Sequence, residues 1–150
     1  MLCGLSVVVL CSVCADPADY RVYSQASGDA VALDAMADDL ARRDVVFLGE
    51  DHSNPVGHRL ELESLTALHK RRPDVVLSME MFERDAQGVL DDYLRDRVDE
   101  KTFLKHARPW RDYQKYYRPL IEFAKMNKLD VVAANVPTLI SRRVAKGDSA

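Results

Sequence analysis

Three short apolar runs, separated by stretches of helical periodicity, constrain the fold of this chain more than any other feature. The runs cover residues 45–48, 75–79 and 130–134 and are rich in Val, Leu and Ala. Between them, apolar residues recur every three or four positions, as on the buried face of a helix. Strands of this kind that alternate with helices are typical of a parallel sheet covered on both faces. The sequence therefore predicts an α/β fold, a parallel β-sheet flanked by helices.

The signals that begin and end helices place the other elements. The clearest helix is expected to start with Asn54 as N-cap and Pro55 in the first turn, and to end before Pro73, which cannot continue it. We also expect an edge strand ending at residues 27–29, a helix from residue 30 to about residue 43, a small helical subregion with short helices at 85–92 and 100–106, a longer helix at 113–126 and a helical turn from residue 138.

Residues 1–15 differ sharply from the rest because they carry no charge. Their apolar run, residues 5–13, is shorter than the roughly 20 residues that span a bilayer. It suits a secretory signal with a small-residue cleavage site. We therefore predict a signal peptide at 1–15 and one α/β domain at 16–150, with a buried first strand as the alternative. All three cysteines lie in the first segment, and acylation of Cys14 would instead attach the protein to a membrane.

Composition and missing motifs exclude several functions. The formal net charge of -3 gives no electrostatic footprint for nucleic acid. A Gly-x-Ser-x-Gly nucleophile elbow is absent from the sequence, as are glycine-rich phosphate loops. Any hydrolysis would therefore depend on an activated water molecule rather than on a nucleophilic side chain.

Each predicted strand is followed by side chains that bind ligands or protons. Glu50 and His52 follow the first strand, Glu80 the second and Asn135 the third. The carboxyl ends of parallel strands share one edge of the sheet, which is where α/β proteins bind ligands. We therefore expect these residues to converge on one crevice.

The helix after the first strand adds two more residues to this crevice. His58 and Glu61 share a face with Leu65, so both are expected to point inward. A buried carboxylate needs a cation, a metal ion or hydrogen-bond donors. A purely structural network is the alternative, with Asn54 only a cap and Asn135 only shaping a turn. The candidate catalytic residues are Glu50, His52, His58, Glu61 and Glu80, and the candidate ligands of a divalent metal ion are Glu50, His52, His58 and Glu80.

The motif at residues 49–61 resembles one family. Its Gly-Glu-x-His-x-Asn-x-x-Gly-His-x-x-Glu pattern is similar to that of the ChaN-like haem-binding proteins, as are residues 78–82, 107–110 and 134–137. The resemblance extends over residues 44–144. Gly49-x-x-His52 also matches a signature of the wider TIKI/TraB group, which is related to the erythromycin-esterase-like proteins.

The resemblance implies a function and a location. It implies haem binding for iron uptake by a lipoprotein exported to the periplasm or outer membrane, with haem held between two protomers through tyrosine. Complete chains of the family are longer, so we expect an incomplete version of the fold here. By residue type the candidate haem ligands are Tyr113, Tyr116 and Tyr117, and Asn54 and Asn135 are candidate contacts to the cofactor.

Three hypotheses remain after this comparison. The first is an exported haem binder, and the alternative is a metal-dependent hydrolase like the TIKI proteases. The third is a truncated, inactive copy that folds poorly. Under the first, His52→Ala should leave haem binding largely intact; under the second, it should abolish turnover.

Overall fold

The computed structural model describes residues 20–147, so the predicted signal peptide lies outside the described residues. Within this range no helix is long and apolar enough to cross a membrane. The strands are β1 (Val22–Tyr23), β2 (Ala30–Val31), β3 (Leu77–Glu83) and β4 (Val131–Asn135). The helices are α1 (Leu33–Leu40), α2 (Pro55–Arg71), α3 (Gln87–Leu94), α4 (Glu100–Ala107), α5 (Arg118–Met126) and α6 (Thr138–Ala145), with a 3-10 turn at Arg84–Ala86 and a π-helical turn at Tyr113–Tyr117.

The strands β3 and β4 form a parallel sheet, which confirms the predicted α/β fold. Leu77 pairs with Val131 and Met79 with Ala133, and the register then shifts before Glu83 pairs with Asn135. The connection between the two strands contains α3, α4 and α5. The small antiparallel pair of β1 and β2 precedes α1.

The predicted first strand is wrong. Residues 45–48 form no strand, and Phe47 is 92% exposed. Paired strands lie about 4.7–4.9 Å apart. Here a groove of about 730 Å³ is lined by this segment and by β3. The apolar composition of the segment predicted a buried, paired strand, but the segment pairs with no strand among the described residues.

The other boundaries lie close to those predicted. The side chain of Asn54 accepts hydrogen bonds from the backbone N–H groups of Val56 and Gly57, and α2 ends two residues before Pro73. The predicted first helix begins only at Leu33, because Ala30–Val31 pairs with β1 instead. β3 begins two residues later than expected and continues to Glu83.

Aromatic side chains fill the core beside the sheet. Tyr93 of α3 and Phe103 of α4 stack with ring centroids 4.5 Å apart, and Phe103 is also close to Phe82 of β3. Tyr113 packs edge-on against the same ring. These contacts join α3, α4 and the helical segment that begins at Tyr113 to the buried face of β3.

One side chain takes the place of a neighbouring strand on β4. The amide of Gln87 donates to the carbonyl oxygen of Val131 and accepts from the N–H of Ala133, both at 2.8 Å. The backbone of β4 is thus satisfied on this side by the first residue of α3. Buried backbone groups that lose such partners cost more than an ordinary hydrogen bond contributes.

We expect Gln87→Ala to destabilise the protein by about 1–3 kcal/mol, because two backbone groups of β4 lose their partners. Urea denaturation followed by circular dichroism would measure the change. The control is Gln114→Ala, which removes an exposed contact of 3.4 Å to Glu100 and should change stability by less than about 0.5 kcal/mol. Equal effects of the two substitutions would contradict the role of Gln87.

Candidate functional site

A buried histidine at the start of α2 forms the centre of the candidate site. His58 faces inward, as its spacing from Leu65 predicted, and is only 4% exposed. Its Nε2 donates to the backbone carbonyl of His52 at 3.1 Å, and its Nδ1 lies 3.0 Å from Oε2 of Glu61. Since a carbonyl can only accept, Nε2 must carry hydrogen. Nδ1 therefore either accepts from a protonated Glu61 or carries a second proton.

Glu50 connects this histidine to the loop before α2 and to the π-helical turn that precedes α5. The hydroxyl of Tyr117 donates to Oε1 of Glu50 at 2.8 Å, and Nδ1 of His52 is hydrogen bonded to the same oxygen. Oε2 of Glu50 lies 3.7 Å from Nδ1 of His58. The loop, the start of α2 and the distant residue Tyr117 therefore meet at one carboxylate.

The surroundings shift the pKa values of Glu50 and Glu61 in opposite directions. Burial acts to raise the pKa of Glu50, but hydrogen bonds from Glu61, Tyr117 and His52 outweigh it and leave this pKa below its usual value. Burial and the hydrogen bond to Glu50 raise the pKa of Glu61 to about 7. Burial acts to lower the pKa of His58, but the His52 carbonyl and the two carboxyls raise it overall.

Aromatic rings contact His58 and His52. Tyr116 stacks on His58 with centroids 4.0 Å apart, and Tyr117 meets the same ring edge-on at 5.1 Å. The ring of Trp110 packs edge-on against His52 at 4.9 Å. The segment 110–117 therefore covers the polar cluster and limits the access of water to His58.

The cluster has the composition of a metal site. Glu50, His58 and Glu61 each offer one ligand atom, and these three atoms lie within 4.8 Å of one another. Catalytic zinc sites commonly use three protein ligands of these types, and manganese and iron also accept mixed imidazole and carboxylate donors. The donor set therefore fits a divalent transition metal.

A groove with mostly apolar walls adjoins the cluster. We call it the β3 groove. Most of its residues belong to three segments: 40–52, the buried face of α2, and 72–81, which contains the first part of β3. Leu120 of α5 completes the lining. Its volume of about 730 Å³ is within the range of small-molecule and cofactor sites, which is roughly 300–1,000 Å³. Glu50, His52 and Glu61 all line it.

The other predicted residues named here lie outside the three-residue cluster. Glu80 is exposed and lines the β3 groove but is not part of the three-residue cluster. Asn54 caps α2, and Asn135 ends β4. Tyr113 and Tyr117 are buried, whereas Tyr116 is half-buried. The hydrogen bond from Tyr117 to Glu50 could not be predicted, because 67 positions separate the two residues.

Comparison with known families identifies the chain. The model of one family, described as haem-binding uptake, Tiki superfamily, ChaN, matches residues 36–150. The chain belongs to this family. This confirms the resemblance seen in the motif at residues 49–61 and supports a function related to haem.

A plant protein is also similar. The chain is 29% identical over 111 residues to the protein RETICULATA-RELATED 5, chloroplastic, of Arabidopsis thaliana. The aligned part is 67% of this chain and 15% of the plant protein, so the chain spans only a small part of that relative. No solved structure matches the chain significantly.

The pKa shifts give the stability a defined pH dependence. The folded protein binds the proton of Glu61 more tightly than the unfolded chain, whose carboxyl has the ordinary value of 4.5. The resulting stabilisation is complete below pH 4.5 and is lost as the pH rises towards and through 7. The raised pKa of His58 acts in the same direction at higher pH, whereas the lowered pKa of Glu50 matters only in acid.

We expect Glu61→Gln to make the stability less dependent on pH between 5 and 8, because the variant has no carboxyl to ionise in the buried site. Thermal denaturation in metal-free buffer would show a smaller fall in Tm for this variant than for the wild type. Glu63→Gln, on the same helix outside the cluster, should retain the wild-type fall. Parallel curves for wild type and Glu61→Gln would contradict the assignment.

Proposed function

We propose that this protein binds haem and serves iron uptake. Family membership supports the haem part of the proposal, and the β3 groove is the structural feature that carries it. A haem site needs apolar walls for the porphyrin and a donor atom for the iron. Both are present along one groove.

The residues of the groove fit these requirements. Val46, Leu65 and Leu77 are among the apolar residues on its walls, and His52 and Glu50 provide nitrogen and oxygen donors. When bound, haem would supply an iron atom that accepts a donor from the protein. The apolar residues of the groove would hold the porphyrin, and its nitrogen and oxygen donors would be available to the iron.

The tyrosines fit less well than the sequence led us to expect. The hydroxyl of Tyr113 is buried in the core, and that of Tyr117 donates to Glu50. Tyr116 is more accessible, but its ring stacks on His58 and its hydroxyl accepts from Nζ of Lys115 at 2.8 Å. Tyr116 is therefore the tyrosine best placed to reach a ligand outside the core.

The location and assembly of the protein are part of this proposal. We propose export directed by residues 1–15 to the periplasm or outer membrane, with lipidation at Cys14 as a further means of attachment and a homodimer that shares haem. The name of the plant relative places that protein in the chloroplast. Fractionation of cells that express the full chain would separate these destinations, and retention in the cytosol would contradict export.

Titration of the full chain with haemin tests the binding function. We expect a saturable visible absorption spectrum that differs from that of free haemin. Val46→Glu should weaken binding by at least about tenfold, equivalent to 1.4 kcal/mol, because it places a charge on an apolar wall of the groove.

Met126→Glu is the matched control, since it introduces the same charge at an exposed apolar position outside the groove. This variant should bind as the wild type does. A folded wild-type chain that gives no saturable spectrum would refute the proposal, and equal weakening by both variants would place haem elsewhere.

The three-residue cluster favours a second candidate, a metal-dependent hydrolase. A metal ion would act there as a Lewis acid on a bound substrate. With Glu50, His58 and Glu61 as ligands, His52 and Glu80 are the groups left for proton transfer along the groove.

Metal analysis tests this candidate without knowledge of a substrate. After incubation with zinc or manganese and removal of excess metal, the full chain should retain about one equivalent, since one three-ligand site is present among the described residues. His58→Ala should retain almost none, whereas His106→Ala, at an exposed position of α4, should match the wild type. Retention of metal by His58→Ala would contradict the site.

A further inference from the structure

The helix α6 packs very little against the rest of the described chain. None of its residues is buried, and Leu139, Ile140 and Val144 are 52–71% exposed. The hydroxyl of Thr138 donates to Glu83, which attaches the first turn of the helix to the end of β3. A helix of eight residues is marginal in water unless it packs against something. We therefore expect its apolar side chains to have a partner.

The apolar side chains of α6 lie on the side that faces away from the protein. Thr138 and Ser141 are three positions apart and share the side of the helix that is bound to β3. The hydroxyl of Ser141 also donates to the carbonyl oxygen of Thr138, at 3.0 Å. The helical repeat places Leu139, Ile140 and Arg143 on the opposite side. This outward side combines apolar and positively charged groups.

The charge of α6 differs from that of the whole chain. The formal net charge of the chain is -3, but α6 contains no acidic residue. Arg142 and Arg143 lie in its last turn and Lys146 follows it, and none of the three forms an ion pair within residues 20–147. The helix dipole favours cations in a last turn, but it does not account for the exposed apolar side chains beside them.

These features favour an anionic lipid surface as the partner. Helices that lie in the plane of a membrane interface carry basic residues beside an apolar face. Arginine and lysine suit this position because their apolar stems can be buried while the charged ends reach lipid phosphates. A second copy of α6 is a poorer partner, since it would bring two sets of cations together.

From this arrangement we propose that α6 binds the surface of an anionic membrane. Leu139, Ile140 and Val144 insert between the lipid headgroups, and Arg142 and Arg143 contact the lipid phosphates. This attachment requires neither haem nor residues 1–15. Its failure is therefore distinguishable from failure of the haem-binding function and of the export proposed above.

Co-sedimentation of the full chain with lipid vesicles tests the proposal. The chain should bind vesicles made of equal parts of phosphatidylcholine and phosphatidylglycerol, and should bind phosphatidylcholine alone at least about tenfold more weakly. Ile140→Glu should weaken binding to the mixed vesicles at least about tenfold, equivalent to 1.4 kcal/mol. Met126→Glu, which introduces the same charge at an exposed apolar position of α5, should bind as the wild type does.

A second pair of variants tests the charge. Arg143→Gln should weaken binding about fivefold, because a basic residue near an anionic surface contributes roughly 1 kcal/mol. Arg21→Gln removes an exposed positive charge outside α6 and should retain the wild-type affinity. Far-ultraviolet circular dichroism would establish that all four variants are folded.

Three results would overturn the proposal. Equal binding by the wild type and Ile140→Glu would do so, because residues 1–15, which every variant retains, would then account for binding. Equal binding to both kinds of vesicle would remove the need for anionic lipid. If the folded wild type binds no vesicles but forms a dimer that Ile140→Glu dissociates, as measured by analytical ultracentrifugation, this side of α6 contacts a second copy instead.

Discussion

The burial of His58 is the interaction on which the rest of the site depends. An imidazole that is 4% exposed requires partners for both nitrogens, and α2 alone supplies only Glu61. The second partner is the carbonyl of His52, so the loop before α2 must fold back over the helix. That fold brings Glu50 within reach of Tyr117, which ties the loop to the aromatic segment ahead of α5.

The same arrangement explains why two carboxyls can lie side by side in a largely enclosed place. Glu50 receives hydrogen bonds from Tyr117 and His52 and holds its charge, as its lowered pKa shows. Glu61 has fewer donors and stays protonated until the pH approaches its pKa of about 7. One shared proton replaces the repulsion of two charges, and His58 can exchange that proton with Glu61. A divalent ion would satisfy the same three groups by replacing protons with its own charge.

Local sequence signals predicted much of this structure. The features that depend on contacts between distant segments could not be predicted. The cap at Asn54, the inward faces of His58 and Glu61 and the parallel sheet of β3 and β4 all follow from spacing or residue type. The strand expected at residues 45–48 failed because its apolar side chains reveal nothing about which backbone they pair with. The bond from Tyr117 to Glu50 and the strand-like role of Gln87 depend on contacts between distant segments, which no local pattern encodes.

The two candidate functions make different demands on Glu50. As a metal ligand it must direct an oxygen towards His58 and Glu61, whereas for a ligand in the β3 groove it would hold the ring of His52 through Nδ1. Its Oε2 lies on the side of His58 and its Oε1 binds His52 and Tyr117, so the geometry accommodates both tasks at once. A metal ion that withdraws electron density from Glu50 would weaken the hydrogen bond that orients His52. Occupation of the cluster and the orientation of His52 on the groove wall are therefore coupled through one carboxylate.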